Sequence, residues 1–352
     1  WRIRPESCIR QIWWIVVSVV VINVVMLILR CRWVYQIPWW VWSLAALGLV
    51  VLPFIFPSPE NGSLNWVDIH GITFQPSELI KPVLVFLLSV LYIRKNKVSS
   101  ILIGGAIVGA LSLVLLMQND LGMILIFCSM FLLMTYDYTQ RGWILVGGVL
   151  GVLVCGFLAY RLVGHVRTRV DIWLDPWSDI DSGGDQIAQS LFAIVGGKFF
   201  GTGLYQGMPY YIPEGWTDMI FAGICEEFGS IFGALTVMIY LLMSLMMFNL
   251  VSRYENRLRR NIAMACSIIT GIQTILIIGG VIKMLPLTGV TLPFISYGGT
   301  SLLSMFIIMG IVQELFRSRS QTERRVREYE ERKREEEKAA AVGAFRFDEP
   351  GF

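Results

Sequence analysis

The stretch ILIGGAIVGALSLVLLMQNDLGMILIFCSMFLLM, Ile101 to Met134, holds one charged residue, Asp120. It divides into two apolar runs with almost nothing between them. Each run is close to the roughly 20 residues that a helix needs to cross the hydrocarbon core of a bilayer. Spanning segments must satisfy their backbone polar groups internally, so these runs read as helices. A chain that carries such a pair is expected to be an all-α, polytopic membrane protein.

The whole chain supports this. Of its 352 residues 55% are hydrophobic and 16% charged, and the mean hydropathy is +0.63. That is more apolar weight than a soluble domain carries. Apolar runs lie near 11–30, 38–56, 76–93, 101–118, 121–137, 143–163, 219–250, 261–282 and 300–316, which makes nine candidate spans. No small-residue cleavage site follows the first, so it reads as a span and not a signal peptide. The run 219–250 is too long for one straight span, and its first part is expected to be tilted or interfacial. Six cysteines form no CxxC pair and only His70 and His165 are available, so a His/Cys metal site is not expected.

Lys and Arg in the short loops orient the spans. Arg30 and Arg32, then Arg94, Lys95 and Lys97, then Arg141, then Arg253, Arg257, Arg259 and Arg260, and finally the tail from Arg317 form one set. The intervening segments 57–75, 118–120, 164–218 and 283–299 are poor in them, and the two sets alternate. The first set is assigned to the cytoplasm, together with a charged tail over 317–352. Nine spans would then leave Trp1 outside, although Arg2, Arg4 and Arg10 favour the inside. A preceding span would resolve this, giving ten in a complete protein and making this chain N-terminally truncated. The largest outside segment, 164–218, is expected to be ordered, with a short amphipathic helix around Gln186–Val195. The tail lacks an apolar seam and reads as a solvated helix beside anionic lipid.

Ionisable residues within or beside spans are candidates for function, because each costs about 2.5–3.5 kcal/mol at mid-helix. In FQPSELIKP, Glu78 and Lys81 stand three apart and can pair on one helix face, with Pro76 suited to the first turn and Gln75 or Ser77 to its cap. Asp120 can cap the helix that follows it. The large loop brings Arg167, Arg169 and Lys198, and arginine suits phosphate recognition. No P-loop or dinucleotide spacing is present, and no nucleic-acid partner is expected. In IPEGWTDMIFAGICEEFG, Ile212 to Gly229, Thr217 or Asp218 can cap the next helix, and Glu214 reads as a solvated loop residue. On a regular helix Glu226 falls about 80° around the axis from Asp218, and Glu227 on the opposite side, so Glu226 is the better candidate to share a cavity with it. Lys283 to Ser301, KMLPLTGVTLPFISYGGTS, is a re-entrant, non-helical candidate that contains Ser296. All these places fall on the outside face, which predicts an outward-facing polar cavity.

These motifs carry a resemblance. PLTGVTLPFISYGGTSLL looks like the signature of the SEDS family (shape, elongation, division and sporulation), and NWVDIHGITFQPSELIK, QNDLG, RVDIWLDPWSD, QIAQSLFAIVGGKFFGTGL and IPEGWTDMIFAGICEEFG are similar to its other motifs, in its order. The resemblance covers roughly 1–316, all but the tail, and several long motifs in order are more specific than any one of them. It implies a peptidoglycan glycosyltransferase of the bacterial cytoplasmic membrane that polymerises lipid II on the outer face beside a class B penicillin-binding protein. By resemblance Asp218 matches the family's essential acid, and Glu78, Lys81 and Asp120 match polar groups of the same cavity. Two departures stand out. QND replaces the usual Gln-Pro-Asp at 118–120, and WTD replaces a common His-Thr-Asp at 216–218.

The chemistry implied is attack by a sugar hydroxyl on an anomeric carbon that carries a lipid diphosphate. A carboxylate base, assigned to Asp218, would accelerate it by about 10²–10⁴-fold. Arg167, Arg169, Lys81 or Lys283 would neutralise the leaving diphosphate, or a divalent cation such as Mg or Mn would. Ser296 and Glu226 complete the expected substrate-binding set. A lipid-linked precursor transporter, and a non-catalytic scaffold for division or elongation machinery, are the alternatives from other functional classes.

Overall fold

Each of the nine apolar runs forms a helix. The computed structural model describes residues 5–58, 64–69, 72–178, 180 and 183–345; Trp1, Arg2, Arg4, His70 and 346–352 lie outside them. In chain order the elements are α1 (Pro5–Arg30), α2 (Trp39–Ile55), the strands β1 (Val67–Ile69) and β2 (Ile72–Phe74), α3 (Pro76–Leu91), α4 (Lys97–Met117), α5 (Leu121–Thr139), α6 (Gly142–Leu162), α7 (Gly164–Leu174), α8 (Gly184–Gly196), α9 (Ile220–Ser252), α10 (Arg257–Val281) and α11 (Gly299–Phe345). Among the described residues seven helices are long and apolar enough to cross a membrane; α2 is apolar but shorter, and α3 carries Glu78 and Lys81. The chain is an all-α polytopic membrane protein. Among the described residues it departs from this in a small antiparallel pair of strands with Val67 opposite Phe74, too short to show a period-2 pattern.

Packing is inside-out relative to a soluble bundle. Of the 16 residues of α3, 13 are buried, among them Ser77, Glu78, Lys81 and Ser89. The apolar helix α6 buries none and turns Val146, Leu150, Leu153 and Phe157 outward. Polar groups face the protein and aliphatic ones face the surroundings, as a bilayer requires. Helix α10 lies at the centre, against α3, α5, α9 and α11, while α1 runs along α11. Helix α11 continues without a break through the start of the charged tail.

Two interruptions position the functional end. Between α4 and α5 the chain reverses through Gln118, Asn119 and Asp120. Asn119 is left-handed at φ 63, its N–H reaches Leu116 O at 3.2 Å, and the Asp120 N–H reaches Leu115 O at 3.0 Å. This is a Schellman cap, and its last residue already caps α5. The loss of proline from QPD therefore has a local reason, since proline cannot adopt this φ or donate that bond. Within α9 the break falls at Gly229, φ 87 and ψ 167, a region open essentially to glycine alone. A Cβ there would run into the Phe199 carbonyl. The segment 197–203 lies on the break: Thr202 N donates to Glu226 O (2.9 Å), Gly203 N to Glu227 O (3.1 Å) and Ser230 N to Lys198 O (2.9 Å). The expected division of 219–250 is thus present, with its exposed carbonyls satisfied by the loop.

Asn119→Pro is expected to destabilise the protein by about 3 kcal/mol or more, whereas Asn119→Gly should stay within about 1 kcal/mol of the parent. Thermal unfolding in detergent checks both; a stable proline variant would refute the cap.

Candidate functional site

The site lies where α3, α5, α7 and α10 meet two non-helical segments, 212–219 and 282–298. Its deepest charge is Lys81, which is fully buried. The Lys81 ammonium lies 2.5 Å from Glu78 Oε2 and donates to Gln273 Oε1 at 2.8 Å. Gln273 Nε2 donates in turn to Thr291 O at 2.8 Å. The expected ion pair is therefore formed, and Gln273 of α10, which has no motif around it, extends it to the irregular loop.

Asp120 does more than cap. Its Oδ1 accepts from Met123 N at 3.2 Å, while its Oδ2 accepts from Gln75 Nε2 at 2.8 Å and Ser77 Oγ at 2.9 Å. Gln75 occupies the cap position of α3 and Pro76 its first turn, but neither Gln75 nor Ser77 caps α3; both reach across to α5 instead. Gln75 N also donates to Thr300 Oγ1, at 3.1 Å.

The expected re-entrant segment is non-helical and largely enclosed by protein, with Thr288, Val290, Leu292 and Ser296 buried. That is the condition under which such backbone persists at membrane depth. Tyr240 donates to Pro293 O and Arg169 Nη1 to Leu287 O, the latter at 3.3 Å. Ser296 Oγ accepts from Leu292 N (2.8 Å) and donates to Thr217 O (2.7 Å), and Tyr297 N donates to Trp216 O (2.8 Å). Ser296 and Tyr297 thus hold the two residues that precede Asp218. Ser296 acts through this anchorage.

Asp218 itself is not a helix cap. Helix α9 starts at Ile220 with Met219 at its cap, and Asp218 belongs to the turns before it. The helical-wheel relation to Glu226 therefore does not hold. A Cβ built at Gly289 would be in van der Waals contact with Asp218 Oδ2 at 3.5 Å and Arg169 Nη1 at 3.8 Å, which places both side chains at this corner, and the Gly289 φ of 72 lies in the left-handed region that favours glycine. Asp218 is densely surrounded yet keeps accessible surface. Burial pushes its carboxyl up to about 7; the Glu214 charge and, less, Asp120 push the same way, and Arg169 opposes them. Glu214, read from sequence as solvated, accepts from Thr217 Oγ1 at 2.8 Å and tunes Asp218.

Three expected members stand elsewhere. Arg167 is two residues from Arg169, on the opposite side of α7, and its side chain is 68% exposed and faces Asp171 at 3.5 Å. Glu226 Oε1 accepts from Met208 N at 3.0 Å and holds the loop to α9. Lys283 Nζ donates to Leu174 O at 3.4 Å and Lys283 O accepts from Trp173 Nε1 at 3.2 Å, so it fastens α7 to the start of the irregular segment. Helix α7, which presents Arg169, lacks clear apolar periodicity, which is why it escapes sequence reading. Among the described residues no three His, Cys, Asp or Glu side chains converge as a metal site.

The family model of the FtsW, RodA and SpoVE group, described as cell cycle protein, matches residues 5–321. The chain belongs to this family. It is 31% identical to peptidoglycan glycosyltransferase RodA of Mycobacterium tuberculosis, over 89% of this chain and 71% of that relative. It is 34% identical to the probable peptidoglycan glycosyltransferase FtsW of Wigglesworthia glossinidia brevipalpis, over 81% of this chain and 76% of that one. Stage V sporulation protein E of Bacillus subtilis shares 30% identity over 81% and 82%. The fold superposes on a chain of a peptidoglycan synthase complex that coordinates polymerization and crosslinking, with TM-score 0.75, 22% identity and 90% and 91% coverage. It also superposes on the crystal structure of Thermus thermophilus rod shape determining protein RodA, with TM-score 0.65, 20% identity and 90% and 89% coverage. The SEDS resemblance read from the motifs is thereby established.

In this family member, Lys81→Met should destabilise by roughly 3–5 kcal/mol because it leaves Glu78 buried without its cation. Lys81→Met combined with Glu78→Gln should recover most of that loss. Equal melting temperatures for the single and double variants would show that the pair is uncoupled.

Proposed function

We propose that this peptidoglycan glycosyltransferase polymerises lipid II on the outer face of the bacterial cytoplasmic membrane, with Asp218 as the general base. The observation that carries this reading is the carboxyl of Asp218: enclosed but accessible, raised to about 7 and opposite Arg169. A base with a pKa near the working pH combines a useful ionised fraction with proton affinity. One sugar hydroxyl would lose its proton to Asp218 as its oxygen bonds to the anomeric carbon. The bond from that carbon to the lipid diphosphate breaks, and the electron pair leaves with the diphosphate. Arg169 supplies positive charge beside the base, and a planar guanidinium suits phosphate oxygens. Asp120, Glu78 and Lys81 act in this scheme as the frame that holds the wall of the cavity. A divalent cation would supply further charge neutralisation for the diphosphate when bound; among the described residues no three His, Cys, Asp or Glu side chains gather to hold one.

The alternation of basic and base-poor loops supports an outward site and a cytoplasmic C-terminus. A class B penicillin-binding protein is the proposed partner, since the structural relative belongs to a complex that couples polymerization to crosslinking.

Asp218→Asn should reduce lipid II polymerisation by about 10²–10⁴-fold. Because a carboxyl raised from 3.8 to about 7 makes the parent lose stability as pH rises between those values, with the full loss present above about 7, the same variant should melt no lower than the parent at alkaline pH. Near-parental polymer from that variant would sink the assignment. In the parent, kcat/KM should fall about tenfold per pH unit below the Asp218 pKa. Glu214→Gln removes a charge that raises that pKa and should move the acid limb to lower pH; Arg169→Gln should move it higher. A limb unmoved by either would refute the electrostatic scheme.

A further inference from the structure

The far end of the bundle carries a second charged site. Thr300, at the start of α11, touches the functional end through Gln75. Glu314 is 14 residues further along the same helix, or about 21 Å at 1.5 Å per residue. There α1, α10, α11 and the turn at 32–36 enclose a cavity of about 170 Å³ whose walls include Arg30, Tyr35, Arg259, Glu314, Arg317 and Ser318.

The charges in this cavity do not balance. Three guanidiniums line it against one carboxylate. Glu314 is buried, and both its oxygens are occupied by Arg317, Oε1 from Nη2 at 2.8 Å and Oε2 from Nε at 2.9 Å. Arg30 Nε stands 3.7 Å from the same Oε2. Among the described residues no carboxylate lies within ion-pair distance of Arg259; its Nη1 donates to Ser318 Oγ at 2.6 Å and its guanidinium lies over the Tyr35 ring at 5.7 Å. Each guanidinium has five N–H donors, so Arg30 and Arg259 keep donors available. A hydroxyl and an aromatic ring hold Arg259 in place without neutralising it.

Size and surroundings narrow the ligand. An apolar cavity of about 150 Å³ takes up benzene, so the volume of about 170 Å³ here has room for a single phosphate group, and its open side leaves the rest of a ligand outside. Beside it the outward faces are aliphatic and aromatic: Leu27 is 56% exposed, and Ile28 and Phe316 are each 42% exposed. A free anion has no use for such a flank, whereas acyl chains do. We propose that this cavity binds the phosphate of an anionic membrane lipid, with Arg30 and Arg259 as its ligands and the Glu314–Arg317 pair as a fixed wall. The site stands apart from the chemistry at Asp218, and only its assignment to the inner leaflet rests on the orientation proposed above.

Native mass spectrometry of the delipidated full chain in detergent tests this, with phosphatidylglycerol, diacylglycerol and inorganic phosphate as probes. Phosphatidylglycerol should be retained at least about tenfold more than diacylglycerol, the equivalent of one charge-assisted hydrogen bond. The Arg30→Gln/Arg259→Gln variant should lose that preference, and Arg141→Gln, on the same charged face but outside the cavity, should keep it. Ser318→Glu, which leaves every arginine in place and adds an anion beside Arg259, should also expel the lipid and serves if the double variant does not fold. Retention by Ser318→Glu, or equal loss in Arg141→Gln, would overturn the site. Displacement of the lipid by millimolar inorganic phosphate would overturn the lipid as the source of the phosphate.

Discussion

A lysine ammonium with no access to solvent must be satisfied by protein, and the functional end of this molecule is organised around that requirement. Lys81 meets it with Glu78 on its own helix and Gln273 on α10. Gln273 passes the constraint on to the Thr291 carbonyl. One buried charge therefore ties α3 to α10 and both to the irregular segment. Removing a partner from such a pair leaves an uncompensated charge in a low dielectric, which is why the arrangement is rigid.

The irregular segment then transmits that rigidity to the carboxylate. Ser296 and Tyr297 grip Thr217 and Trp216, while Gly289 closes on Asp218 from the other side. Arg169 is fixed by the Leu287 carbonyl of the same segment. Asp218 and Arg169 thus share one support. Burial and the neighbouring Glu214 charge raise Asp218 where a cap or an ion pair alone would lower it.

Much of this was legible before the structure. The apolar runs located the helices, the i,i+3 spacing of Glu78 and Lys81 foretold their pairing, and the length of 219–250 foretold the break now seen at Gly229. The density of Pro and Gly in 283–301 marked the irregular segment. Other roles were not legible. Arg167 and Arg169 are equivalent as sequence, and only the direction of each side chain on α7 separates an exposed ion pair with Asp171 from a place beside Asp218. Glu226 would neighbour the cavity on a regular helix beginning at Asp218; the helix begins at Ile220, and Glu226 holds Met208. Gln75 reads as a cap and Glu214 as a solvated loop residue, and Gln273 has no motif around it, so their contacts to Asp120, Asp218 and Lys81 are not visible in the sequence.

The sequence by itself determined that this is a polytopic membrane protein, where its apolar helices lie and which family it resembles, because hydrophobic length and motif order are local properties of the chain. The tertiary structure alone decided which polar groups meet. Those meetings join residues as distant in sequence as Gln75 and Thr300 or Lys81 and Gln273. They follow from the need to satisfy every buried donor and charge at once, a condition that exists only when all the helices are in place.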